Sequence, residues 1–221
     1  MYIVLDRETR LADSRKVGLM NWLAHLYLSD KHVESRMGNI LADVIKGKDR
    51  KQLSPTIRQG IRCHQAVDAF TDYHPVFGRC QQYIRSELRR YSGIVVDVFY
   101  DHFLACHWTT FSDVELKVFT SEIYRSFLAS PVPLPIKAKL LFQRMSEEDW
   151  LAGSADLAEI KDTLLRITRR LKRPVELIQT LDDLERNYAD FERDFLEFFP
   201  DLCKHVRNWK LREQTNRKNM D

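Results

Sequence analysis

Residues 54–75 read SPTIRQGIRCHQAVDAFTDYHP, and the groups in that stretch that can do chemistry fall at helical spacing. At about 100° per residue, His64, Asp68 and Asp72 share a stripe with Ile57, Ile61 and Thr71, while Arg58, Arg62, Gln65 and Ala69 lie on another side. A helix buries its apolar stripe, and an ionised carboxylate there is costly unless it is paired or bound to a metal. The run IVVDVFYDHFLACHW at 94–108 repeats the conflict: it is apolar nearly all round, yet holds Asp97, Asp101, His102 and His107. Asp43, on the run ESRMGNILADVIK, is a further acid; periodicity alone puts it on a wet side with Asn39 and Lys46, opposite Leu41, Val44 and Ile45. His and Asp four apart on one helix face can reach a single ion. A mixed imidazole and carboxylate set suits Mn²⁺, Fe²⁺ or Mg²⁺. Such an ion polarises a phosphoryl oxygen and acidifies bound water, so the implied reaction class is metal-assisted phosphoester hydrolysis. Two structural readings stand beside it. The buried acids pair with arginines such as Arg58 or Arg62 in a metal-free binding module, or, on spacing alone, His25 is a core histidine bonded to backbone.

The elements that must position these groups are helices. The chain has 221 residues, with only seven glycines and seven prolines, which favours long helices and an all-α, compact multi-helix bundle. Ser54 is a good N-cap, Pro55 suits a first turn, and the helix closes before Pro75. Further helices are expected at 20–28, 34–46 (stopped by Gly47), 76–90, 94–108, 113–128, 135–145, 154–173 and 175–199. Residues 1–19 read as an extension, 20–209 as one helical domain, and 210–221 as a polar tail that frays. The net charge of +3 and a basic 166–173 cluster without aromatics give no case for nucleic acid. No apolar run approaches the roughly 20 residues that span a bilayer. Four scattered cysteines and an acid-containing start without a signal core point to a reducing cytoplasm. No GxGxxG, P-loop or GxSxG motif is present.

Four segments in order, MNWLAHLYLS, GNILADVIKG, IRQGIRCHQAVDAFTDYHP and GIVVDVFYDHFLACHW, resemble the acyl carrier protein phosphodiesterase family, and the likeness covers most of residues 20–200. That family is related to the His-Asp (HD) metal-dependent phosphohydrolases, so the resemblance implies a variant of their helical fold; here the order at 101–102 is Asp-His. It implies Mn²⁺-dependent removal, with Mg²⁺ or Fe²⁺ as alternatives, of the phosphopantetheine arm from the serine of holo-acyl carrier protein. The positions that match the family's motifs are His25, Asn39, Asp43, His64, Asp68, Asp72, His74, Asp97, Asp101 and His102. From them Asp43, His64, Asp68 and Asp101 are expected to hold the metal, and His102, Asp72 and His25 to form the catalytic set. The resemblance also implies a small acidic carrier as partner, which a basic face should dock. Arg85, Arg89, Arg90, Arg169 and Arg170 are the candidates. The runner-up is an HD-like phosphohydrolase acting on a nucleotide or another small phosphoester.

Overall fold

The structure is a computed structural model that describes residues 22–218, so the expected extension at 1–19 lies outside it. Among the described residues there are eleven α-helices and no strand. In order they are α1 (Trp22–Leu28), α2 (Val33–Val44), α3 (Pro55–Tyr73), α4 (Pro75–Gln81), α5 (Ser92–Cys106), α6 (Trp108–Phe111), α7 (Leu116–Leu128), α8 (Ile136–Glu147), α9 (Leu157–Thr168), α10 (Thr180–Arg186) and α11 (Tyr188–Lys218). Short 3₁₀ turns at Gly47–Gln52, Ser86–Tyr91, Ala152–Ala155 and Leu177–Gln179 join some of them.

The core forms around α5, whose residues 94–105 are all buried. α11 packs an aromatic and aliphatic stripe into this core: Phe191, Phe195, Phe198, Phe199, Leu202 and Val206. That stripe explains why α11 runs past Pro200, where the sequence reading ended the helix, and on through the expected tail to Lys218. Losing one backbone hydrogen bond at proline costs less than exposing Leu202 and Val206. Lys210 and Glu213 also tie this last part down, by ion pairs to Asp30 at 3.0 Å and Arg62 at 3.3 Å. The single helix expected over 76–90 is instead α4 followed by a 3₁₀ turn at Ser86–Tyr91. Here Arg79 makes a two-pronged bond to the fully buried Asp194 on α11 at 2.9 Å, and Tyr83 donates to the same carboxylate at 3.0 Å. These partners pin the end of α4 in place of further helix.

α2 and α3 cross with backbones touching. A Cβ at Gly38 would lie 2.1 Å from the Ile57 carbonyl oxygen, and one at Gly60 would lie 2.0 Å from that of Ser35. Only glycine allows the approach. One turn further along both helices, the same approach places Asp43 beside His64. Gly60→Ala should therefore cost about 3 kcal/mol or more, a fall in Tm of roughly 6–12 °C for a chain of this size. Calorimetry of the variant checks this; a change under 2 °C would mean the helices separate freely.

Candidate metal centre

Three helices deliver the central donors. His64 and Asp68 stand one turn apart on α3, His25 comes from α1 and Asp43 from α2. His64 Nε2 lies 3.1 Å from Asp68 Oδ2 and 3.4 Å from Asp43 Oδ1, and His25 Nε2 lies 3.3 Å from Asp68 Oδ1. One donor atom from each of His25, His64 and Asp68 lies within 4.8 Å of the other two. The two imidazoles stack, with centroids 4.1 Å apart. Both histidines are buried, whereas the Asp68 side chain is 31% exposed, so the cluster opens to solvent on the Asp68 side.

A hydrogen-bond chain settles which way His25 is protonated. The carbonyl of His25 can only accept, so Ser29 Oγ, 3.0 Å away, donates to it. Ser29 Oγ must then accept from Asn39 Nδ2 at 2.6 Å. That turns Asn39 Oδ1 toward His25 Nδ1, 3.4 Å away, and puts the ring proton on Nδ1. His25 Nε2 is left as a lone pair, buried, without a hydrogen bond, and facing a carboxylate oxygen. Two electron-rich atoms in that arrangement repel unless a cation lies between them. An outer amide that fixes the tautomer of a ring nitrogen is how metal-binding histidines are commonly oriented.

The titration properties point the same way. Burial lowers the His25 pKa, and the neighbouring His64 charge lowers it further, which keeps the ring neutral. Burial also pulls His64 down, but its bonds to Asp43 and Asp68 outweigh that and push it up to about 10. Burial raises Asp68, yet the bond and charge of the protonated His64 beside it hold it well below the usual carboxylate range. A proton on His64 thus occupies the most negative part of the cluster, and a divalent ion would have to displace it.

Sequence reasoning gave Asp97 no role, although it named the residue. Asp97 is 7% exposed, and among the described residues no hydrogen bond or ion pair satisfies its carboxyl. Its pKa is driven well up, first by burial and then by the charges of Asp68, Asp72, Asp101 and Asp43. The signal for it was an acid set among the apolar residues of α5. Asp72, one turn beyond Asp68, is exposed at the rim.

Asp101 is placed differently from the expected metal ligand. Its two oxygens each accept a backbone N–H of α1, from Leu23 and Ala24, both at 2.9 Å. It caps the helix start, where N–H groups lack partners. His102, expected to assist proton transfer, is corrected by its partners: Nδ1 donates to the Ser154 carbonyl at 3.0 Å, and Nε2 accepts from the Tyr188 hydroxyl at 2.9 Å. Both ring nitrogens are committed, which leaves none for substrate. His74 caps α4 by accepting from the Val76 N–H. The reading in which the buried acids pair with arginines also fails: Asp43 and Asp68 meet histidines, Arg62 pairs with Glu213, and Arg58 is exposed.

Of the expected docking arginines, Arg85 is corrected. It pairs with Asp183 at 3.0 Å and Asp182 at 3.1 Å, holding the loop after α4 to α10. Arg89 is likewise taken up by the Ile84 and Gln82 carbonyls and the Gln82 side chain. Arg90 is exposed over the Tyr91 ring, and Arg169 and Arg170 are exposed beside a groove at the end of α9.

The chain as a whole has relatives among known proteins. A family model described as acyl carrier protein phosphodiesterase matches residues 20–202. The chain belongs to the acyl carrier protein phosphodiesterase family. A relative of that name from Serratia proteamaculans is 33% identical over 193 residues, 87% of this chain and 100% of its own length. One from Photorhabdus laumondii is 33% identical over 190 residues, covering 86% and 96%. One from Escherichia coli O157:H7 is 32% identical over 182 residues, covering 82% and 94%. No solved structure matches. Every donor of the cluster described above lies within the matched part of this phosphodiesterase family member.

Asp101 offers a pH test that needs no metal. Burial raises its pKa to about 7 despite the two backbone bonds that lower it. The folded state therefore holds this proton more tightly than the unfolded chain, and stability falls as pH rises from about 4 to about 7, by at most about 1.4 kcal/mol per pH unit. In chelator, the wild type should lose more Tm between pH 5 and pH 8 than Asp101→Asn. Equal losses would show that this carboxyl does not titrate in the window.

Proposed function

We propose that this chain hydrolyses the phosphodiester joining the phosphopantetheine arm to the serine of holo-acyl carrier protein, at a divalent-cation centre formed by His25, Asp43, His64 and Asp68. Family membership supports the reaction. The observation that carries the centre is the buried His25 Nε2 lone pair turned onto Asp68 at 3.3 Å. An ion held there supplies Lewis acidity toward a phosphoryl oxygen and lowers the pKa of water. The oxygen and nitrogen donors suit Mn²⁺, with Mg²⁺ or Fe²⁺ as alternatives.

The protein groups divide the remaining work. His25, kept neutral and aimed by Asn39, is a donor in place of the proton-transfer group expected from sequence. Asp43 and Asp68 fix the negative charge on either side of His64 Nε2. Asp97 lies in their field, which together with burial keeps its carboxyl protonated. Asp72 stands at the solvent rim, where water and the leaving serine exchange protons with bulk. In the balanced reaction a water oxygen bonds to phosphorus, the phosphorus–serine oxygen bond breaks, and one water proton ends on the serine oxygen. The rearranged HD relationship belongs to this proposal, supported by the helical donor set of two imidazoles and clustered carboxylates. All four cysteines are free thiols and no described helix is long and apolar enough to cross a membrane. The thiols support the cytoplasmic reading.

Purified protein incubated with holo-acyl carrier protein and Mn²⁺ should convert the carrier to its apo form, seen by intact mass as loss of the phosphopantetheine. His25→Ala and Asp68→Ala should lose metal and turnover by more than the roughly 10–100-fold that an outer change such as Asn39→Leu costs. Retention of metal and full turnover by both would end the assignment. Metal binding must also displace the His64 proton, whose pKa is about 10. The rise in Tm given by a fixed Mn²⁺ concentration should then be larger at pH 8 than at pH 6. A pH-independent rise would place the ion elsewhere.

A further inference from the structure

We infer that the groove between α8 and α9 is the docking site for an acidic surface of the protein substrate, and that a pair of stacked tryptophans sets its register on the metal centre. This rests on the reaction proposed above and deepens it by naming the face that meets the partner.

The groove encloses about 510 Å³. Arg144 from α8, Arg166 from α9, and Arg169 and Arg170 just past the end of α9 line it, against two acids, Glu148 and Asp162. Arg144, Arg169 and Arg170 are exposed at its sides. Its floor is rigid. The Arg166 guanidinium lies 4.7 Å over the Trp150 ring and is held by a 2.7 Å bond to Thr163, with its Nε buried and without a hydrogen bond. Trp150 donates to Glu148 at 2.6 Å and stacks on Trp22 at 5.8 Å. Trp22 in turn donates to Asp43 of the metal centre at 3.3 Å. A small cavity of about 20 Å³, walled by Arg166, Trp150, Trp22 and Asp101, lies behind this stack. The groove and the centre are thus the two faces of one aromatic wall, joined by direct contacts.

Charge decides what fits. Glu148 already pairs with Arg166 at 3.6 Å, and the exposed Arg144 and Arg169 leave the groove net positive toward an acidic partner, while its two acids give register with basic residues on that partner and repel a uniformly charged polyanion. A protein surface has that mixed pattern; a nucleic acid does not. The chain's net charge is only +3, so this attraction is local to the groove. The competing basic stretch is disqualified by its own contacts, since Arg85 and Arg89 are spent within the fold.

The test compares the Mn²⁺-loaded wild type with Arg144→Glu/Arg169→Glu and with Arg90→Glu as the control on the other patch. Binding of fluorescently labelled holo-acyl carrier protein is read by anisotropy. Turnover of the carrier and of bis(p-nitrophenyl) phosphate is read in parallel. The groove variant should weaken carrier binding and raise KM at least tenfold, flatten the salt dependence of kcat/KM, and leave hydrolysis of the small diester unchanged. Arg90→Glu should match the wild type. Carrier affinity unchanged in the groove variant at low salt overturns the docking site. If the double variant does not fold, the milder Arg169→Gln replaces it, with weakened carrier binding expected and unchanged affinity at low salt again overturning the site. A duplex DNA probe that binds the groove more tightly than the carrier overturns the choice of partner. Binding that depends on the groove, without carrier turnover by the wild type, supports the docking site and overturns the reaction.

Discussion

The structure is organised around a concentration of negative charge inside a helical core. Asp43, Asp68, Asp72, Asp97 and Asp101 are close enough for the other four to raise the Asp97 pKa. Like charges at such range repel strongly when water is excluded. Within the protein alone, the relief comes from one protonated imidazole, His64, shared between two carboxylates, and from the proton that Asp97 retains. The second imidazole cannot add to it, because burial and the His64 charge keep it neutral and its hydrogen-bond chain turns a lone pair inward. A fold that needed only a stable core would replace these acids with leucine at a gain in stability. Their arrangement makes sense when a divalent ion supplies the missing positive charge.

Keeping such a cluster together requires backbones that cannot drift apart. The Gly38–Gly60 contact brings α2 and α3 closer than side chains would allow, and Asp43 meets His64 as a result. α5 contributes in two ways from residues one turn apart. Asp97 stands in the field of the cluster, which keeps it protonated, while Asp101 grips the first turn of α1, whose next residue after Ala24 is His25. Asp101 is thereby a positioning residue for His25: it holds the helix that carries the imidazole. His102, its neighbour, locks the other side of α5 to Ser154 and Tyr188.

The sequence made the shared stripe of His64 and Asp68 legible, because spacing reports directly which residues share a helix face. It could not report which partner that face meets. Asp43 looked solvated on a helical wheel, and only its place in GNILAD suggested otherwise; in the fold, α3 and Trp22 cover the polar side of α2. Asp101 and His102 looked like ligands because acids and imidazoles on an apolar helix share one signature, whether they bind a metal, cap a neighbour or bridge to a tyrosine. The long α11 was missed past Pro200 since proline is a local signal, whereas the burial of Leu202 and Val206 is a tertiary one. The 85–90 stretch looked like a surface charge run because the acids that neutralise Arg85 lie about a hundred positions away.

The same two tryptophans that separate the acidic centre from the basic groove also explain why a net charge of +3 conceals both. Trp22 and Trp150 form an apolar wall with carboxylates on one side and guanidiniums on the other. On the groove side, burial lowers the Arg166 pKa, and the nearby acids Glu159, Glu148 and Asp162 oppose that loss. A substrate bearing acids on its surface and a phosphodiester at its tip meets complementary charge at both places. It finds basic groups where its carboxylates arrive, and an ion-demanding cluster where its phosphorus must react. Docking and chemistry are then parts of one electrostatic arrangement, and the wall keeps the groove's arginines from pairing with the very carboxylates that the metal needs.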